Sequence, residues 1–189
     1  MTKFTKSKIN GGWIIDAARH GDDRGWFQEL FKSSVVKNAT GLSFAPVQIN
    51  VSHSLRGVIR GIHYSIAPEG QGKYVTVVDG EIDDYIIDVR IDSPTFGMWE
   101  KIRLSATSGN SVLLSSDLAH AFQVISPLAT VCYAVTAEFN PEAEKAINPN
   151  CSKLQIDWDN DHPQSISPKD ESAPDTITQL ALNCLPRYK

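Results

Sequence analysis

From about residue 43 to residue 139 the chain is a succession of short runs rich in Val, Ile, Tyr and Phe, each closed by turn residues. The runs predict strands at Phe44–Val51, Gly57–Tyr64, Lys73–Val78, Tyr85–Arg90, Trp99–Leu104, Ser111–Leu114, Ala121–Ile125 and Thr130–Phe139. Asp79-Gly80, Asp92-Ser93-Pro94 and Ser108-Gly109-Asn110 supply turn chemistry between them. Many short strands at this spacing argue for an all-β sandwich or closed barrel and against a βαβ sheet. A jelly roll is the preferred form, because its cavity between two sheets can hold a small ligand. Short peripheral helices are expected at Lys32–Ala39 and at Thr176–Cys184, the latter after the cap candidate Asp175. The tail from Pro141 is rich in Pro, Asn, Asp and Ser and is expected to pack over the barrel. Residues 1–189 therefore read as one domain, of a size that can bury a real core.

The net charge of -4, with no Lys/Arg block, gives no reason to expect a nucleic-acid surface. Local basic residues can still hold a small phosphorylated ligand. Cys132, Cys151 and Cys184 are an odd count without a CxxC pair, so neither a disulfide framework nor a zinc site is expected. A reducing cytoplasm is the natural compartment. The N-terminal MTKFTKSKINGGW lacks the apolar core of a signal peptide, and runs such as VLL at 112–114 are too short to span a bilayer.

RGIHY at 60–64 and GKYV at 72–75 place His63 and Lys73 on neighbouring apolar strands. An imidazole and an ammonium aimed into one cavity suit proton abstraction beside a carbonyl: the imidazole takes the proton and the cation holds the enolate oxygen. An isolated His in an apolar run is more often a hydrogen-bonded core residue, so other segments must support the reading. In DDRGWFQE at 22–29, Arg24 and Gly25 sit in a turn, and Phe27 and Glu29 share a strand face. Arg24 there suits a phosphate or is simply a surface turn. In QINVSHS at 48–54, Gln48, Asn50 and Ser52 share one face, which lines a polar cavity or meets solvent. DLAHAF at 117–122 puts His120 at the start of a strand. His63 has Ser65 two residues on, not a second His, so a metal site is not expected. There is no GxSxG elbow and no Gly-rich dinucleotide loop.

Taken in order, DDRGWFQE, QINVSHS, RGIHY, GKYV, GEIDDYIIDVR, DSPTFGMWE, AHAF, Tyr133, FNPEAE and SPKD resemble the dTDP-4-dehydrorhamnose 3,5-epimerase family from about Asp22 to Asp170. The resemblance implies a cupin-like jelly roll, a homodimer, and a nucleotide-diphosphate sugar as substrate, with no cofactor. It implies that His63 is the general base and Asp170 its carboxylate partner. Lys73 then lies beside the C-4 oxygen, and Tyr133 is the acid on the opposite sugar face. It gives Arg24, Arg60, His120 and Lys169 to the diphosphate and sugar, Phe27, Glu29, Gln48 and Asn50 to the nucleotide side, and Glu144 to a further contact.

The chain departs from the family at Ser65, where Gln is usual, at Ala121, where Gly is usual, and at Phe139, where a second Tyr is common. The Ala121 methyl and the missing hydroxyl at Phe139 are expected to touch the sugar. The latter predicts a bias toward one centre, C-5. The competing readings are a non-catalytic sugar-nucleotide binding module and a metal-dependent cupin oxygenase. The joint presence of His63, Lys73, Tyr133 and Asp170 favours the enzyme, and the missing HxH disfavours the oxygenase.

Overall fold

The computed structural model describes residues 1–66, 70–181 and 183–188. The chain opens with β1 (Lys3–Lys6), β2 (Gly12–Asp16), a hairpin of β3 (Arg19–Asp22) and β4 (Gly25–Gln28), and helix α1 (Ser33–Thr40). Eight longer strands follow: β5 (Gln48–Leu55), β6 (Val58–Ser65), β7 (Lys73–Asp79), β8 (Glu81–Ile87), β9 (Trp99–Ser105), β10 (Asn110–Leu114), β11 (Ala119–Val124) and β12 (Leu128–Val135). The tail adds β13 (Glu144–Ala146), β14 (Ser165–Ile166), α2 (Pro168–Glu171) and α3 (Thr176–Ala181). One sheet has the order β1-β2-β10-β7-β12-β5, and the other β13-β6-β11-β8-β9 with β14 beside β6. From β5 to β12 the chain changes sheet at every step but β8 to β9, as a jelly roll does. No helix among the described residues is long and apolar enough to cross a membrane.

Three apolar clusters follow from strand alternation. Val75, Val77, Ile82, Ile86, Leu104, Val112 and Phe122 meet between the sheets. On the outer face of the second sheet, Tyr64, Tyr85 and Ile87 meet Ile147, Leu154 and Trp158, so the tail does pack over the barrel. On the outer face of the first sheet, Ile15, Tyr74 and Leu113 lie under Val36 of α1. Each fully buried Ile, Leu or Phe side chain contributes about 1.5–3 kcal/mol.

The expected strands are all present, with shifted ends. Phe44 is not in β5: Pro46 intervenes, and the Phe44 ring packs against Phe31 and Tyr74. β12 ends at Val135, short of Phe139. The second expected helix is α3, and Asp175 does cap it, accepting from the Thr178 amide at 2.7 Å. Residue 182 of that expected helix lies outside the described residues. β1, β2 and α2 are not among the expected elements, although Trp13-Ile14-Ile15 of β2 and the Ser167-Pro168 start of α2 are signals for them. Gly61 has φ +120°, and a Cβ there would lie 2.6 Å from the Ala121 Cβ. The close β6–β11 approach, at a register shift between His120 and Phe122, thus requires glycine.

β8 was expected to run from Tyr85 to Arg90, but it starts at Glu81 and stops at Ile87, just before a buried ionic turn that the Asp88 side chain organises. Its carboxylate accepts from Arg90, Ser93 and Thr95, and Arg90 is almost wholly buried. Burial opposes charge on Asp88, but these hydrogen bonds prevail and lower its pKa. Asp88→Ala would leave the buried Arg90 guanidinium with Asp117 alone, at 3.3 Å, so we expect about 3 kcal/mol of lost stability by urea denaturation. That difference is present above the ordinary carboxyl pKa of 3.8 and shrinks as the pH falls through the lower folded value.

Candidate active site

A cavity of about 700 Å³ opens between the sheets. The second sheet lines it with Arg60 and His63 of β6 and His120 of β11, and the first with Lys73 of β7 and Tyr133 of β12. His63 and Lys73 were expected on neighbouring strands. They sit in different sheets and line the cavity from opposite walls, because the connection from β6 to β7 crosses between sheets.

His63 is held from the tail. Its Nε2 lies 2.7 Å from Asp170 Oδ1. Asp170 is in α2, whose start is fixed by Pro168 at the first turn and by the Ser167 hydroxyl accepting from the Asp170 amide. Burial works against a charged Asp170, but the hydrogen bond and charge of His63 outweigh it and lower the carboxyl pKa. With Asp170 accepting from Nε2–H, the free lone pair of His63 is on Nδ1.

Lys73 is buried, and burial lowers its pKa to about 8, against the opposing influence of the Glu144 carboxylate. Burial raises the Tyr133 phenol pKa, Glu144 adds to this, and Arg60 opposes it. The phenol therefore stays protonated. Among the described lining residues Tyr133 is the one phenol.

β5 turns its polar face inward. Gln48, Asn50 and Ser52 line the cavity, and Ile49, Val51 and Leu55 face out. Gln48 donates to Asn50 at 2.7 Å and accepts from the Phe139 amide at 2.9 Å, so it joins the strand to the loop carrying the Phe139 ring. Arg60 donates to Ser54 Oγ at 3.0 Å. Lys169 and Glu144 form a 3.2 Å ion pair in the cavity lining. His120 Nε2 lies 2.7 Å from Asp84 Oδ2. No trio of His, Cys, Asp or Glu among the described residues is placed to hold a metal ion.

The structure thus gathers His63, Asp170, Lys73, Tyr133, Gln48, Asn50, Arg60, His120, Glu144 and Lys169 around one cavity. It does not bring Arg24, Phe27 or Glu29 there. Arg24 pairs with Asp22 on the exposed hairpin, and Phe27 is 69% exposed. Glu29 lies one residue beyond β4, so it does not share a strand face with Phe27, and it faces Lys32 at 3.7 Å. The hairpin is fixed elsewhere: Arg19 stacks on Trp26 and donates to the carbonyls of Ala106 and Thr107. Ala121 also fails the expectation of touching the sugar, since its methyl is wholly buried against Gly61 on the far face of the sheet. Phe139 does line the cavity. Sequence reading missed Gln71, whose place between Gly70 and Gly72 gave no sign that it lines the cavity.

The model of the family described as dTDP-4-dehydrorhamnose 3,5-epimerase matches residues 6–177. A dTDP-4-dehydro-6-deoxyglucose 3-epimerase of Streptomyces bikiniensis is 38% identical over 96% of this chain and 92% of its own length. A solved 4-keto-6-deoxy sugar epimerase from the novobiocin biosynthetic gene cluster of Streptomyces spheroides superposes with a TM-score of 0.96. It is 36% identical and covers 100% of this chain and 94% of its own. A dTDP-6-deoxy-D-glucose-3,5-epimerase of Legionella pneumophila, solved with dTDP-4-keto-L-rhamnose, has a TM-score of 0.94 at 34% identity, with 100% of both chains covered. Such likeness along the whole length places this chain in the dTDP-4-dehydrorhamnose 3,5-epimerase family.

Proposed function

We propose that residues 1–189 form one catalytic domain that epimerises a dTDP-linked 4-keto-6-deoxyhexose in cytoplasmic deoxysugar biosynthesis. The observation that carries this is the placement of His63 in one sheet and Tyr133 in the other, with the cavity between. Inversion needs a base on one face of the sugar and an acid on the opposite face. The C-4 ketone acidifies the protons on C-3 and C-5. His63 removes one, Asp170 supports the imidazolium, the Lys73 ammonium stabilises the enolate oxygen, and Tyr133 reprotonates the other face. Contacts from Arg60, His120 and Lys169 to diphosphate and sugar fix the reacting carbon.

Among the described residues one phenol lines the cavity, and Phe139 cannot relay a proton, which supports a bias toward a single centre. We place the faster exchange at C-3, not at C-5 as the sequence alone suggested, because the Streptomyces bikiniensis relative is named for C-3. In deuterated water with the dTDP-4-keto-6-deoxy sugar, label should enter C-3 first. His63→Ala should slow exchange by at least about a hundredfold while dTDP binding persists. Equal labelling at both carbons would make the enzyme a double epimerase. Binding without any labelling would make it a binding module.

Only protonated Lys73 can hold an enolate. Its charge is present below a pKa of about 8 and is lost as the pH rises through that value. We therefore expect kcat/KM to fall above about pH 8, and Lys73→Met to lower kcat more than it weakens binding. Tyr133, with its raised pKa, is not the source of that limb.

The active form is proposed as a homodimer. β5 is an edge strand, and it exposes Ile49 and Val51 at 67% each and Leu55 at 65%. An apolar edge of this kind favours pairing with another chain. A second copy would also bring Arg24, Phe27 and Glu29 to a cavity that their own chain does not give them. Light scattering should report a dimer for the unmodified protein, and Ile49→Asp/Val51→Asp should yield a monomer with weakened dTDP binding.

A further inference from the structure

Asp84 breaks the pattern of the strand that carries it. On β8 it lies between Ile82 and Ile86, and its cross-strand partners are Phe122 and Ile102. All four belong to the central apolar cluster. Asp84 is fully buried there. Oδ2 meets His120 Nε2 at 2.7 Å, and Oδ1 is buried with no partner among the described residues. The contrast with Asp88 is direct: that carboxylate, equally buried, accepts from one arginine and two hydroxyls. A half-satisfied carboxylate in an apolar core is costly, and an Ile or Leu would fill the place without that cost. Stability does not explain the residue.

Its one partner leads to the cavity. His120 stands directly across the β6–β11 ladder from His63, and both line the same space. The ring also lies against Phe122, at 6.3 Å between centroids. With Nε2 turned to Asp84, Nδ1 is left to the cavity. His63 and His120 are thus two imidazoles side by side, each tied through Nε2 to its own carboxylate at 2.7 Å.

Resting on the epimerase reading above, we infer that Asp84 is a positioning residue: it fixes the orientation and tautomer of His120, so that Nδ1 meets the sugar beside the carbon His63 deprotonates. Asp170 sets the base, and Asp84 sets the neighbour that holds the substrate against it.

The test compares Asp84→Leu and Asp84→Asn with the unmodified protein in thermal melts, in the deuterium-exchange assay and by 15N NMR of the imidazoles. Leu removes the acceptor and suits the apolar site. Asn keeps one acceptor oxygen. Asp84→Leu should lower kcat/KM by about 10- to 100-fold, mostly in kcat, as losing the carboxylate behind a metal-bound histidine does. Its melting temperature should hold or rise, and its His120 should lose the single Nε2–H tautomer. Asp84→Asn should recover part of the rate. A lower melting temperature with kcat/KM per folded molecule within about twofold of the unmodified protein would make Asp84 structural and overturn the inference. If both stability and rate fall, an unchanged His120 tautomer overturns it and a changed one supports it. Absence of exchange in the unmodified protein would instead sink the epimerase reading, and the NMR arm would still report whether Asp84 governs His120.

Discussion

The 2.7 Å bond between His63 and Asp170 ties the tail to the barrel, and the arrangement of the site depends on it. A helix of four residues such as α2 has no stability of its own. It is held by the Ser167 cap at one side and by His63 at the other. The same segment brings Lys169 to Glu144 of β13. β13 and β14 in turn hydrogen-bond to β6, the strand that carries His63. His63, Asp170 and Lys169 beside the cavity are therefore parts of one local assembly.

The jelly roll was legible because its cause is local. Each strand is a short β-branched or aromatic run, and each turn carries Asp, Gly, Ser or Pro. Strand ends were less legible, because they depend on where polar groups find partners. β8 stops just before Asp88, which draws Arg90, Ser93 and Thr95 around itself, and no propensity scale contains that event. The alternation of QINVSHS was plain, but not which face was inside. A strand with its polar side buried and its apolar side exposed looks the same in sequence as an ordinary one. Asp170, Tyr133 and Glu144 carried no chemical signal of their own and were found through the family's motif order. Asp84 was hidden in an apolar run, and its meaning comes from a contact 36 residues away.

The buried charges separate into two kinds. The Asp88 turn is hydrogen-bonded on both carboxylate oxygens and lies outside the cavity lining, so it acts as framework. The Asp84, Asp170 and Lys73 sites are each incomplete: one oxygen lacks a donor, one carboxylate faces an imidazole that is itself part-exposed, and one amine is held below its ordinary pKa by burial. Local inconsistency of this kind marks places where sequence is answering to chemistry and not to packing. The rigid strands β6, β7, β8, β11 and β12 absorb that cost.

The separation of 107 residues between His63 and Asp170 has a consequence for how the protein comes into being. During synthesis at roughly 5–20 residues per second, the imidazole leaves the ribosome several seconds before its carboxylate. The strands β5 to β12 are complete in sequence well before α2 exists. The strands of both cavity walls are thus made while His63 still lacks the carboxylate that it bonds. The carboxylate partner of His63 arrives last, with the tail that also covers the outer face of the second sheet.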